Sequence, residues 1–275
     1  SIDEGFTLTY SRQSWHSVFG LDGFYSPHPP LSFALAKSFS MFLPEEIASR
    51  SASAIAGTLT IPILILLVER LADRRVALGA GLLLTLSPIH IEYSRMGRMY
   101  APVLLLVALS YLFLTLFWQS GQRRWLTPYA LVLALAMYTD YSAAYAFAPQ
   151  LFLVVFVWRT SRSLGLQLSI AIVAAGLSYC LWIPEIFSTI RRTDEATGRA
   201  SYLAASWTQL YEVLRSIPGI TGARSSIRVS FPSAWDRWTG ARPLLLSALI
   251  PITVIGVLSM RRRAHALLVA LLLML

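Results

Sequence analysis

Charge is scarce in this chain. Only 13% of its 275 residues are Asp, Glu, Lys or Arg, while 56% are hydrophobic and the mean hydropathy is +0.59. A soluble domain carries about 25% charged residues, so a soluble fold is excluded as the natural reading. Cysteine is nearly absent: Cys180 stands alone inside an apolar run, which rules out a disulfide within the chain and leaves the redox compartment unread. No Gly-rich loop of the P-loop or Rossmann kind, no His-Glu-x-x-His and no Cys/His metal spacing occurs. A nucleotide-sugar donor would require a soluble nucleotide-binding domain, and the sequence holds none. The net charge of +9 and pI near 10.0 would suggest nucleic acid in a soluble protein. Here the basic residues lie between apolar blocks without a groove-reading motif, so no nucleic-acid partner is expected. Internal repeats and low-complexity tracts are lacking too.

Long apolar runs are what the sequence does have. Seven read as spanning helices, at about 51–68, 76–91, 101–118, 126–141, 143–158, 166–185 and 243–260, and an eighth begins near 264. Most sit near the lower end of the roughly 17–25 residues that a span needs, and 126–141 is the weakest. With only Asp140-Tyr141-Ser142 between them, 126–141 and 143–158 predict a tight helical hairpin. The expected fold is an all-α polytopic transmembrane bundle forming a single domain over 1–275. The chain opens on Ser1-Ile2-Asp3-Glu4 and stops within an apolar run, so further membrane helices are expected on either side of it.

Orientation follows from the basic residues. One set of loops holds Arg70, Arg74, Arg75, Arg123, Arg124, Arg159, Arg162, Arg261, Arg262 and Arg263 against Glu69 and Asp73, a net +8. Of the 23 basic and 14 acidic residues, 13 and 12 then remain for the opposite side, a net +1. The alternation holds through every span, so the arginine-rich side is expected in the cytoplasm of a plasma (inner) membrane. The periplasmic or extracellular face then carries a first loop, 1–50, a second loop, 92–100, the turn 140–142 and a long loop, 186–242. In the first loop, 5–19 forms an amphipathic aromatic-rich helix and 31–43 is apolar but too short to span; both are expected to lie in the interface. In the long loop, Leu203, Trp207, Leu210, Leu214 and Ile217 recur at helical spacing, which predicts another interfacial helix ending near Pro218-Gly219.

Three polar clusters sit on that outer face. Asp3-Glu4 precedes the amphipathic helix, where paired acids complement the helix dipole or supply a general base. Ser26-Pro27-His28-Pro29-Pro30-Leu31 reads as a rigid turn into a helix, with His28 as its polar group. Glu92-Tyr93-Ser94-Arg95-Met96-Gly97-Arg98-Met99-Tyr100 places two arginines at an outer helix boundary, against the usual bias. Arginine suits phosphate through its planar fork and permanent charge, although snorkelling to lipid headgroups would also place it there. Arg50 heads the first span in a similar way.

With these elements in order, the chain resembles the polytopic C-type glycosyltransferases of the dolichyl-phosphate-mannose protein mannosyltransferase and aminoarabinose transferase superfamily, including glycosyltransferase family 39. Asp3-Glu4 looks like the acidic pair of the first external loop, and His28-Pro29-Pro30-Leu31 like its second motif. Arg50-Ser51-Ala52-Ser53-Ala54-Ile55-Ala56-Gly57 looks like the Arg-led opening of the next helix. Ser87-Pro88-Ile89-His90-Ile91-Glu92-Tyr93-Ser94-Arg95 through Arg98-Met99-Tyr100 looks like the second loop. The resemblance covers about 1–160; beyond that, topology and the Trp/Leu-rich outer helix agree.

The resemblance implies transfer of a hexosyl or pentosyl group, with inversion, from a polyprenyl-phosphate sugar donor to an acceptor protein, lipid or glycan. Asp3 would be the base and Glu4 its neighbour. Arg50, Arg95 and Arg98 would hold the donor phosphate, and His28, Glu92, Tyr100, Asp140 and Tyr141 would line the cavity. It leaves room for a divalent metal without requiring one, and the chain departs from relatives that carry a His where it has Asp140-Tyr141. A transporter or lipid flippase is the alternative, and it predicts broken helices in paired halves with charges at mid-membrane. A structural or assembly subunit would need no carboxylate at all.

Overall fold

The structure is a computed structural model that describes residues 2–21 and 28–185. The chain divides into two units, Ser1–Glu185 with Gly256–Leu275, and Ile186–Ile255. The described residues all belong to the first. The expected span 243–260 and the outer helix ending near Pro218-Gly219 lie outside them.

Among the described residues ten α-helices follow one another: α1 Ile2–Ser11, α2 Trp15–Val18, α3 Leu31–Ser40, α4 Glu45–Leu71, α5 Arg74–Leu86, α6 Pro88–Arg95, α7 Tyr100–Ser120, α8 Leu126–Thr139, α9 Ala143–Thr160 and α10 Arg162–Tyr179. Strands do not occur among the described residues. The protein is an all-α, multi-pass membrane bundle. Its outward side chains, such as Leu82 and Leu86 of α5 or Val173 and Leu177 of α10, are more than half exposed, as suits lipid rather than water.

Among the described residues three helices are long and apolar enough to cross a bilayer: α4, α7 and α10 with its continuation to Glu185. The expected span 76–91 is not one helix. α5 and α6 meet at a 60° bend, because Pro88 has no N–H to continue the ladder and its ring clashes with the preceding turn. Ser87 then caps the new helix, its Oγ accepting the His90 N–H at 3.4 Å. The segment 92–100, expected as a turn, is therefore helical to Arg95 and irregular only over 96–99. α8 has 14 residues, about 21 Å at 1.5 Å per residue, which falls short of a full span. The first span is longer than expected, since Glu45 and Glu46 start α4 where acids complement its dipole.

The helix expected over 5–19 is two helices, broken where Ser14 caps α2. Lys37, in the middle of apolar α3, donates from Nζ to the carbonyls of Ser11 at 3.3 Å and Gln13 at 2.6 Å. It thereby satisfies the open carbonyl end of α1. Tyr10 stacks on Phe33 with centroids 4.9 Å apart, and Arg12 pairs with Glu45. These contacts fix the layer α1–α3 against the start of α4.

The main core joins Leu67 and Leu71 of α4, Tyr111, Leu114 and Phe117 of α7, Tyr129 and Leu133 of α8, Leu153 and Val157 of α9, and Leu168 of α10. Inside it, the Tyr129 hydroxyl donates to Gln150 Oε1 at 2.7 Å, and Gln150 Nε2 donates to Ser110 Oγ at 2.8 Å. In a bundle surrounded by hydrocarbon such groups must find partners within the protein, and these three sew α7, α8 and α9 together.

Candidate functional site

The amino-terminal ends of α1 and α4 and the loop after α6 converge on one carboxylate. Arg50, in the second turn of α4, donates from Nε to Glu4 Oε1 at 2.9 Å and from Nη2 to Oε2 at 3.0 Å. The Gly97 N–H donates to the same Oε1 at 3.0 Å. A bidentate guanidinium is the strongest partner a carboxylate finds among side chains. With the Arg50 fork as the first cause and the Gly97 amide assisting, the Glu4 carboxyl is held down at about 2, against the opposing effect of burial. The Glu4 side chain is 13% exposed.

Loop 96–99 can reach Glu4 because it is glycine at 97. A Cβ there would stand 3.1 Å from both the carbonyl and the hydroxyl oxygen of Ser49, closer than ordinary contact, so a larger residue would make the loop or α4 give by a few tenths of an ångström. Next to it the Ser53 hydroxyl donates to the Arg98 carbonyl at 2.7 Å. One helical turn further on, α6 rests on α4 at Gly57, where a Cβ would come within 2.6 Å of the Ser94 Cβ. His90 Nε2 lies 3.2 Å from the Gly57 carbonyl. Glycine here permits a backbone approach that fixes α6, and α6 fixes the loop that follows it.

Arg98 is only 8% exposed, with its guanidinium 5.9 Å from the centre of the Tyr100 ring. Tyr100 packs against Tyr93 at 4.8 Å. The two tyrosines wall a cavity of about 450 Å³ together with Ser87, His90, Ser142 and apolar residues of α7. Arg95 is exposed and Glu92 is half-buried.

A second cluster lies at the turn after α8. Asp140, 7% exposed, accepts the Ser142 N–H on Oδ1 at 2.8 Å, and its Oδ2 lies 3.7 Å from His28 Nδ1. Trp182 Nε1 donates to the Tyr141 hydroxyl at 3.4 Å. The histidine before α3 thus meets the acid of the turn after α8, and Ser142 joins that turn to the cavity wall. Among the described residues no group of three or more His, Cys, Asp or Glu side chains could hold a metal ion.

Of the residues expected from the sequence, Glu4 and Arg50 are in direct contact, His28 and Asp140 approach each other, Tyr100 lines the cavity and Arg98 lies near the Tyr100 ring. Asp3 stands in α1 next to Glu4, its side chain outside the described set. The expected long loop, 186–242, lies outside the described residues. Gly97, Ser53, His90 and Ser142 were not singled out as functional. Gly97, a glycine between two arginines in a loop, was the available signal for a close backbone approach.

A crystal structure of ArnT from Cupriavidus metallidurans in the apo state aligns with 98% of this chain at 15% identity and a TM-score of 0.49. The chain covers 53% of that protein, so it spans about half the length of the structure it matches. No curated protein matches the sequence. The family described as dolichyl-phosphate-mannose-protein mannosyltransferase matches residues 27–185, a stretch that takes in α3 to α10, the α6–α7 loop and the His28–Asp140 pair. That match covers more than half of the chain, and the chain belongs to this family.

Proposed function

We propose that this chain is part of an integral membrane glycosyltransferase that moves a sugar from a polyprenyl-phosphate donor to an acceptor hydroxyl or similar group. The active site faces the periplasm or the cell exterior, and the anomeric carbon inverts. The acceptor oxygen attacks that carbon, its proton passes to the Asp3 carboxylate, and the bond to the phosphate oxygen breaks with the electron pair leaving on phosphate. Arg98, assisted by Arg95, offsets the charge that develops on the leaving phosphate, as preorganised cations do best in a site shielded from water.

The observation that carries this reading is the Glu4 carboxylate bridging Arg50 and the Gly97 amide. It ties the acidic pair of the first loop to the arginine-bearing second loop. The same contact favours a division of labour within the pair. A carboxyl held near 2 is too weak a base to accept an acceptor proton, because a general base works best with a pKa near the working pH. Glu4 and Arg50 therefore position the site, which leaves Asp3 as the base and Arg98 as the chief phosphate contact. The transporter alternative calls for two broken helices in paired halves, and the described residues contain one bent pair.

The test replaces Asp3 with Asn and assays sugar transfer from a polyprenyl-phosphate donor in membranes. Loss of a general base costs about a hundredfold to ten-thousandfold, and turnover equal to that of the parent chain rules out the role of Asp3.

A further inference from the structure

At the arginine-rich end of the bundle, opposite the Glu4 and Asp140 clusters, the turns before α8 and α10 enclose a cleft of about 310 Å³. Its walls are Arg123 and Leu126 on one side, and Ser163, Leu166, Gln167 and Ile170 on the other. The last four recur at i, i+3, i+4 and i+7 along α10, so a single helix face presents them. Along that face the lining passes from Ser163 in the first turn to Ile170 two turns deeper, about 10 Å at 1.5 Å per residue.

Two groups in this cleft lack partners. Arg123 is exposed and takes part in none of the ion pairs among the described residues. Gln167 donates from Nε2 to Ser163 Oγ at 3.2 Å, while its Oε1 is buried without a hydrogen-bond partner. A buried amide oxygen left unpaired calls for an explanation, and Gln167 lines the cleft together with a cation and apolar side chains. Arg124, by contrast, lies over the Trp125 ring at 4.9 Å and does not line the cleft.

We infer that this cleft binds an anionic glycerophospholipid of the arginine-rich leaflet, one with a hydroxyl-bearing headgroup such as phosphatidylglycerol. The phosphate pairs with Arg123, the Ser163 hydroxyl donates to it, a headgroup hydroxyl donates to Gln167 Oε1, and an acyl chain follows Leu126, Leu166 and Ile170. Basic pockets between membrane helices recognise anionic headgroups by this combination of charge and apolar wall. The site lies at the far end of the bundle from the proposed chemistry and does not depend on it.

The full chain in detergent is titrated with phosphatidylglycerol, phosphatidylcholine or inorganic phosphate, with bound lipid counted by native mass spectrometry and melting temperature followed in parallel. Phosphatidylglycerol should be retained and raise the melting temperature, and the other two should not. Arg123→Gln should weaken phosphatidylglycerol binding about fivefold or more, and Gln167→Leu should weaken it as well. Arg124→Gln should leave it within about twofold, since its charge lies outside the cleft. Ile170→Trp, which fills the apolar wall without touching a charge, should displace the lipid, and it keeps the test decisive if Arg123→Gln fails to fold. Equal binding of phosphatidylcholine, stabilisation by inorganic phosphate alone, an equal effect of Arg124→Gln, or lipid retained by Ile170→Trp would each overturn the inference.

Discussion

Arg50 and Glu4 face each other across 46 positions of sequence through two parallel hydrogen bonds of 2.9 and 3.0 Å. Glu4 also takes the amide of Gly97, so a single carboxylate joins α1, α4 and the loop that begins α7. Removing the charge while keeping the shape, as Glu4→Gln does, should cost about 1.5–3 kcal/mol, the range for hydrogen bonds to charged groups. Arg50→Ala should cost much the same. Because the two side chains are one contact, the double variant should be little worse than either single one. Chemical or thermal unfolding in detergent measures this, and strictly additive losses would refute the contact.

The same pair predicts a pH response. The folded carboxyl of Glu4 is depressed to about 2, so its stabilising contribution is present above the ordinary carboxylate range and fades as pH falls from about 4.5 towards 2. The melting-temperature gap between the parent chain and Glu4→Gln should be flat above about pH 5 and close as the pH approaches 2. A gap that instead stayed constant down to pH 2 would show that Glu4 titrates normally.

Arg98 should matter for the donor rather than the acceptor. Arg98→Ala removes a charge-assisted contact of about 1.5–3 kcal/mol, which raises the donor concentration needed for half-maximal transfer by roughly tenfold to a hundredfold. Steady-state kinetics with donor and acceptor varied separately make the distinction. A change confined to acceptor affinity would remove Arg98 from the phosphate.

Gly57→Ala should misplace α6. The added Cβ would meet Ser94 Oγ at 2.0 Å and Ser94 Cβ at 2.6 Å, and overpacking of this kind costs about 1–3 kcal/mol. Ser94→Gly in the same chain should restore most of that loss. Failure of the second substitution to rescue the first would show that the strain lies elsewhere.

In the bundle core, Tyr129→Phe removes the hydroxyl that donates to Gln150 Oε1. Hydrogen bonds between membrane helices are worth about 0.6 kcal/mol on average and up to about 1.7, so a small but measurable fall in unfolding free energy is expected, with transfer activity kept. No change at all would mean that water or another group replaces the hydroxyl.

Much of the architecture was legible in the residues. Apolar runs marked the helices, because hydrocarbon penalises charge wherever it falls, and alternating arginines gave the sidedness expected of their loops. Lys37 could be seen as odd within an apolar helix, yet only packing revealed that it serves the carbonyl end of α1. The break at Ser87-Pro88 was written in the sequence but masked by the apolar period running through it. α8 likewise passed for a span because apolarity reports burial or lipid contact without separating them.

The sequence alone determined the membrane setting, the sidedness expected of each loop and the polar residues available on each face, since hydropathy and charge are local properties of a chain. It did not decide which of those residues touch. That Glu4 is spent on Arg50 and Gly97, that His28 lies beside Asp140, and that Gly57 and Gly97 permit the approach depends on helix lengths, one bend and close backbone contacts. Such contacts join positions dozens of residues apart, and no local pattern encodes them.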